Sequence, residues 1–331
     1  MESVLKLYQL LSGPLRYLGQ DVRVISDFNT CPIVSGTYRM IFGRDSNVHR
    51  WMYRSQVLSE RVRTFYDILT EDTKLIIAFE APQSLFKYCQ EKNLPLVDFA
   101  FHFIRFGAEY SLMARTNSLS ISGLLESVHA HDHTHSIASR FNYAACYKAG
   151  QLYDSLPKKS DCRTSVFIMQ TRFDRSKFDG AGSIIDDYAV LRESMSSFDY
   201  YKPHPSEQRP ELEVLLEHRG ARRLPDALEI YPLIAARGDT LSFTGISSGL
   251  IAEAQLLGCS HSRMIVGFPW RVLGFEAFTR TSAVAEGDYI PITNAMLSQP
   301  FWQAVLCQGT IENLPLHETI SLKDYWNVAW S

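Results

Sequence analysis

Between residues 165 and 268, short apolar runs of strand character alternate with helical ones, and no other feature of the chain narrows its possible folds as far. "SVFIMQT" (165–171), "DYYKP" (199–203), "TLSFTG" (240–245) and "RMIVGF" (263–268) have the length and β-branched or aromatic content of strands. Helical spacing marks "SIIDDYAVLRESMSS" (183–197), "SEQRPELEVLLEHRG" (206–220), "LEIYPLIAAR" (228–237) and "SGLIAEAQLLG" (248–258). Gly220 is placed to end the second of these. Strands joined through helices run parallel, and a parallel sheet needs both faces covered. The pattern therefore predicts a doubly wound α/β domain.

The first half carries the same signal over a shorter stretch. "VRVIS" (22–26) and "KLIIAFE" (74–80) are strand candidates, and "APQSLFKYCQEKN" reads as a crossover helix leading into the strand "LPLVDFAFHFIRF". A helix is expected over 136–154, capped by Thr134 or Ser136. The polar, proline-containing "SLPKKSDCRT" (155–164) is the best linker. The expected fold class is α/β, with two Rossmann-like domains facing a central cleft. Residues 1–157 form one domain and 158–331 the other.

A chain of 331 residues, 46% apolar, can bury two such cores. The formal charge of −3 offers no electrostatic reason to expect a nucleic-acid partner. Six dispersed cysteines without a C-x-x-C pair point to a reducing compartment rather than a disulfide scaffold. The start, "MESVLKLYQLLSGPLRYLG", lacks the basic opening and unbroken apolar core of a signal peptide. No run of about 18 apolar residues occurs, so no helix is expected to span a bilayer. Whether the Leu and Tyr residues of 4–18 face the core or a membrane surface stays open.

In an open parallel sheet the ligand lies beyond the carboxyl ends of the strands, so the residues just after each run carry the interest. After the first come Gln170, Asp174 and Ser176. After the second, following Lys202, come His204 and Pro205; proline restrains its neighbour toward extended backbone and so steadies the imidazole. A helix beginning there would add N–H groups and a favourable dipole for a phosphate. After the third come Ser247 and Ser248 at a helix start, and Glu253 within reach of ribose hydroxyls. Each has a plainer reading, as turn former or cap, but their order at successive strand ends favours a phosphate-containing ligand.

"HAHDHTHS" (129–136) places His129, His131, His133 and His135 at alternate positions. Three readings stand: a zinc site that lacks obvious companion ligands, a polar loop whose imidazole serves as general base, or capping and surface roles. Glu80, His102 and Arg105, at the ends of apolar runs, either line the same cleft or merely terminate strands.

Three elements resemble those of the bacterial capsule and lipopolysaccharide β-Kdo transferases. "QTRFDRS" is similar to that family's Q-x-x-x-D-x-S element, "YKPHP" to its K-P-H-P element, and "SSGLIAEAQLLG" to its [ST]-S-x-x-x-x-E-A-x-x-x-G element. "GFPW" (267–270) is a weaker echo, and the likeness covers about 165–275. It implies a GT-B-like enzyme that uses CMP-Kdo as substrate and retains the β configuration. With histidine and helix termini to stabilise the leaving phosphate and no D-x-D element after a strand, no cofactor or metal is expected. On this resemblance Asp174 is the catalytic carboxylate and His204 meets the CMP phosphate. Gln170, Ser176, Lys202, Pro205, Ser247, Ser248 and Glu253 hold the donor. Apart from the resemblance, His129, His131, His133, His135 and Arg105 are candidates for the acceptor side or for a general base. The implied partners are a CMP-sugar and a glycan or glycolipid, in a cytoplasmic protein that can touch the inner membrane. Because a His–Pro element also occurs in enzymes using CMP-sialic acid, a sialyltransferase is the alternative donor reading. A metal-dependent hydrolase built on the histidine cluster and an inactive glycan-binding module are the alternatives of other classes.

Overall fold

A computed structural model describes residues 2–23, 57–102, 112–129, 163–172, 174, 177, 184–194, 196–205, 207–280, 287–292, 296 and 298–307. Two sheets organise these residues. The first contains β1 (Ile76–Phe79), β2 (Leu96–Phe101), β3 (Leu112–Thr116) and, from far along the chain, β9 (Ile290–Ile292), in the order β1-β2-β3-β9. The second contains β4 (Thr164–Ile168), β5 (Tyr200–Lys202), β6 (Arg222–Arg223), β7 (Leu241–Gly245) and β8 (Arg263–Met264), in the order β6-β5-β4-β7-β8.

All four pairings of the second sheet are parallel. Counted from β4, the order is that of a dinucleotide-type fold, with the reversal of direction falling between β4 and β7. The helices 187–194, 210–218, 230–237 and 249–256 follow the expected alternation, three of them shorter at both ends and 230–237 at its start only. Beyond β8, Ile265 N and Val266 N still donate to Gly245 O and Ile246 O, and Gly267, at φ +83°, then turns the chain. Strand β6 was not anticipated. Its two arginines are exposed on the sheet edge, where charge discourages pairing with another chain.

The first half departs from the expected second Rossmann-like domain. β1 and β2 are parallel through the helix Gln83–Glu91, as the β-α-β pattern predicts. β2 and β3 are antiparallel, as are β3 and β9. The reason is length: 102–111 is too short for the crossover of about a dozen residues that a parallel connection requires. The described sheet is therefore mixed.

Strand β9 and the helix Gln299–Cys307 also leave the second sheet and complete the first. Phe301, Trp302 and Val305 share a core with Leu7, Leu11 and Leu15 of the helix Glu2–Tyr17. The expected assignment of everything after 157 to one domain thus does not hold for these elements. The boundary itself, the linker, the 136–154 helix and the strand "VRVIS" from 24 onward lie outside the described residues. The buried leucines of the first helix recur every four residues, so this stripe faces protein. No helix among the described residues is long and apolar enough to cross a membrane.

A single apolar cluster joins the sheets: Ala100 and Met113 of the first pack with Val166, Phe243, Val272 and Tyr289. One ion pair inside it stands out. Asp98 on β2 and Arg115 on β3 sit opposite each other, and Arg115 Nε donates to Asp98 Oδ2 at 2.9 Å with both side chains buried. Tyr289 Oη donates to the same oxygen at 2.5 Å, and Ala81 N donates to Oδ1 at 2.7 Å. Multiple donors offset the desolvation of the carboxylate.

Gly267 is required by space as well as by dihedral angle. A Cβ there would lie 2.7 Å from Phe278 O and 3.0 Å from Arg280 N, backbone atoms that the ladder to Phe268 holds in place. Gly258, at φ +101°, has nothing within 4 Å. Gly267→Ala should therefore lower the urea midpoint by more than Gly258→Ala does. Backbone strain alone accounts for about 1–3 kcal/mol at either site, and equal midpoints would contradict the clash.

Candidate functional site

In a sheet of this order the ligand site is expected at the carboxyl ends of β4 and β7, and one side chain joins those two strand ends. Gln170 lies just beyond β4 and is buried; its Oε1 accepts from Ser247 N, just beyond β7, at 2.8 Å. Its Nε2 donates to Asp174 Oδ2 at 3.5 Å. One amide therefore satisfies a buried main-chain N–H and reaches the carboxylate of the loop that follows β4. Ser247 is buried. Ser248 is the N-cap of the helix Gly249–Leu256, in extended conformation, and its hydroxyl makes no capping hydrogen bond.

Glu253, in the middle of that helix, is buried and accepts from Tyr231 Oη at 2.5 Å. This contact locks the helix to its neighbour 230–237 and gives the carboxylate a partner within the protein. At the end of β5, His204 is half-buried and Pro205 exposed. His204 O accepts from Glu207 N at 3.4 Å, closing a turn. The next helix begins only at Pro210, capped by Arg209, so its N-terminus does not open directly at the His–Pro pair as expected.

Lys202 is otherwise engaged. Its ammonium donates to Pro225 O at 2.8 Å and Asp226 O at 2.9 Å, carbonyls of the turn before helix 230–237. Burial pushes its pKa below the usual lysine value, and the nearby Asp226 opposes that shift. In this structure the ammonium of Lys202 thus holds that turn.

A charge network missed at the sequence level surrounds the Asp174 loop. Lys177 is buried; its Nζ lies 2.6 Å from Asp187 Oδ1 and donates to Thr171 O at 3.2 Å. Its main-chain N donates to Asp174 O at 3.0 Å. Arg209 Nη1 donates to Asp187 Oδ2 at 3.0 Å, and Arg209 Nε to Glu211 Oε1 at 2.7 Å. Arg172 completes the set: Nη2 donates to Glu211 Oε1 at 2.9 Å, and its main-chain N to Glu207 Oε2 at 2.7 Å. Burial disfavours charge on both members of the central pair, lowering Lys177 and raising Asp187; the two cations on Asp187 favour its ionised form. The sequence signal was "QRPE", where Arg209 and Glu211 flank a helix-starting proline, but nothing in it names Asp187 as the partner.

On the opposite sheet, Glu80 follows β1 in a left-handed conformation, φ +55°, with its N–H donating to Phe99 O at 2.6 Å. A non-glycine residue held there reports local constraint. His102, after β2, is buried, its ring edge-on to Phe275 at 5.0 Å between centroids. It therefore does not end its strand at the surface. His129 is half-buried and bridges to Ile292 of β9. His131, His133, His135, Arg105 and Ser176 lie outside the described residues. Among the described residues no group of three or more His, Cys, Asp or Glu side chains could hold a metal ion.

Glu211 carries a checkable pH dependence. Burial raises its pKa, but hydrogen bonds from Arg209, its own backbone and Arg172 outweigh that and hold it at about 2, below the ordinary 4.5. A depressed folded-state value stabilises the protein above the unfolded pKa, and that share is lost as pH falls. Stability measured by urea unfolding should decline from pH 4.5 toward 2, and Glu211→Gln should flatten the decline in that window. An unchanged slope in the variant would remove Glu211 from the acid response.

No protein-family model matches the chain, and no curated protein matches it. Among solved structures it is similar to KpsC, the beta Kdo 2,7 transferase of Thermosulfurimonas dismutans. The identity is 15% and the TM-score 0.35, over 65% of this chain and 74% of that one. At that score the likeness carries no argument about function.

Proposed function

We propose that this protein is a glycosyltransferase that moves Kdo from CMP-Kdo to a bacterial surface glycan or glycolipid with retention of the β configuration. The observation that carries the reading is the Gln170 amide, which joins Asp174 to the Ser247 N–H across the sheet reversal. It links the first and third of the three motif elements that resemble those of β-Kdo transferases. The middle element, with His204, ends the strand paired with β4.

Loss of CMP leaves positive character on the anomeric carbon and negative charge on the phosphate. Asp174 answers the first. Its carboxylate oxygen attacks the anomeric carbon while the carbon–oxygen bond to the phosphate breaks, the electron pair leaving with CMP. The acceptor hydroxyl then displaces Asp174 from the same carbon, gives up its proton to a base, and restores the carboxylate; two inversions give retention. His204 and the N–H groups at the start of helix 249–256 answer the second charge, with Ser248 Oγ and Ser176 completing donor contacts. The reaction needs no divalent metal. The first sheet serves the acceptor, with His129 and its neighbours in the cluster beside it, in an enzyme of the cytoplasm.

With purified protein and CMP-Kdo, CMP release should fall about 10²–10³-fold in Asp174→Ala and in His204→Ala, and EDTA should leave the wild-type rate unchanged. Intact-mass analysis with donor and no acceptor should show a Kdo adduct in the wild type that Asp174→Ala lacks. Wild-type rates in both variants would dismiss the site. Faster turnover of CMP-sialic acid than of CMP-Kdo would move the donor assignment to the sialyltransferase reading.

A further inference from the structure

Stability alone gives little reason to place a lysine at Lys177. It is 1% exposed and its partner Asp187 2%, and replacing buried ion pairs with apolar side chains of similar volume is often neutral or stabilising. What the lysine does supply is two grips on one loop. The ammonium donates to Thr171 O and the main-chain N–H to Asp174 O, so both sides of the segment bearing Asp174 are tied to a single residue. Ile185 N donates to Lys177 O at 2.8 Å, anchoring that residue to the chain entering helix 187–194.

The network then continues to the other pole of the site. Asp187 receives Arg209, Arg209 and Arg172 share Glu211 Oε1, and Arg172 N donates to Glu207, whose own N–H closes the turn of His204. Arg172 itself lies between Gln170 and Asp174, so the path returns to the loop where it began. The loop after β4 and the turn after β5 are thus held by one set of charge-assisted bonds, which are shorter and stronger than neutral ones.

We propose that Lys177 is a positioning residue for the transfer reaction: through Asp187, Arg209 and Arg172 it fixes the Asp174 loop relative to the His204 turn. This rests on the reading of Asp174 as the attacking carboxylate. Attack requires the oxygen within about 3–3.5 Å of the anomeric carbon and in line with the departing phosphate, and a displacement of about 1 Å can cost about 10²-fold in rate.

Lys177→Met keeps the volume, removes the ammonium, and leaves Asp187 with Arg209, so no buried anion is stripped of its partner. The variant should bind CMP within about threefold of wild type by calorimetry, form the Kdo adduct about 10²-fold more slowly, and show a lowered kcat with little change in KM. Amide exchange should accelerate at Lys177 and Ile185 and not along 249–256. If Lys177→Met does not fold, the double variant Lys177→Met/Asp187→Asn buries no unpaired charge, since Arg209 keeps Glu211, and the same slow adduct is expected. Wild-type adduct rates in whichever variant folds would overturn the positioning role and leave the proposed function standing. A wild-type protein that releases CMP from neither donor would overturn the proposed function and the positioning role together; amide exchange would then still report whether Lys177 holds the loop.

Discussion

The second sheet is organised around a hydrogen bond that belongs to no strand ladder. At the point where a doubly wound sheet reverses its winding, the chain leaves two neighbouring strands in opposite lateral directions, and the main-chain groups just beyond them lose their ladder partners. Ser247 N is such a group, buried and pointing into the gap, and Gln170 Oε1 satisfies it at 2.8 Å. An apolar side chain at 170 would take this acceptor away from the buried N–H, a loss of about 0.5–1.5 kcal/mol. The same amide also reaches the Asp174 carboxylate, at 3.5 Å. One side chain thus serves both strand ends and the loop that follows β4.

Much of the second sheet could be read from the sequence, because the apolar runs around β4, β5, β7 and β8 and the helices between them show their patterns and the connections permit only parallel pairing. The exception, β6, fails for the same reason: Arg222 and Arg223 are two residues with no apolar alternation, and only pairing to Tyr200 and Tyr201 makes them a strand. The first sheet was harder. Its parallel pair announced itself, but the antiparallel partners depend on Asp98 meeting Arg115 and on Ile290–Ile292 crossing back from beyond residue 280. Sequence spacing carries no trace of such long-range partners, although a lone aspartate inside "LPLVDFAF" does signal that something must neutralise it.

For the site, the rule that ligands gather beyond strand ends selected Gln170, Asp174, Ser247 and Ser248, and the geometry groups Gln170 with Asp174 and Ser247. Lys202 shows what the rule leaves open. A residue at a strand end faces one of two directions, and the carbonyls of Pro225 and Asp226 drew its ammonium to theirs. The Lys177–Asp187–Arg209 set was illegible for a different reason. Its members are ordinary charges, individually indistinguishable from surface residues, and their meaning comes only from burial together.

The return of β9 and helix 299–307 to the first sheet has a consequence for synthesis. Strands β4 to β8 are contiguous in the chain and can pair as soon as residue 264 has emerged. The earlier-made sheet must wait, its β3 edge without β9 and its Leu7, Leu11 and Leu15 stripe only partly covered, until Ile290–Ile292 and then Phe301, Trp302 and Val305 arrive. During translation the order of completion is therefore the reverse of the order of sequence. In that interval an open strand edge and an apolar helix face are exposed together, the combination that invites association with other chains.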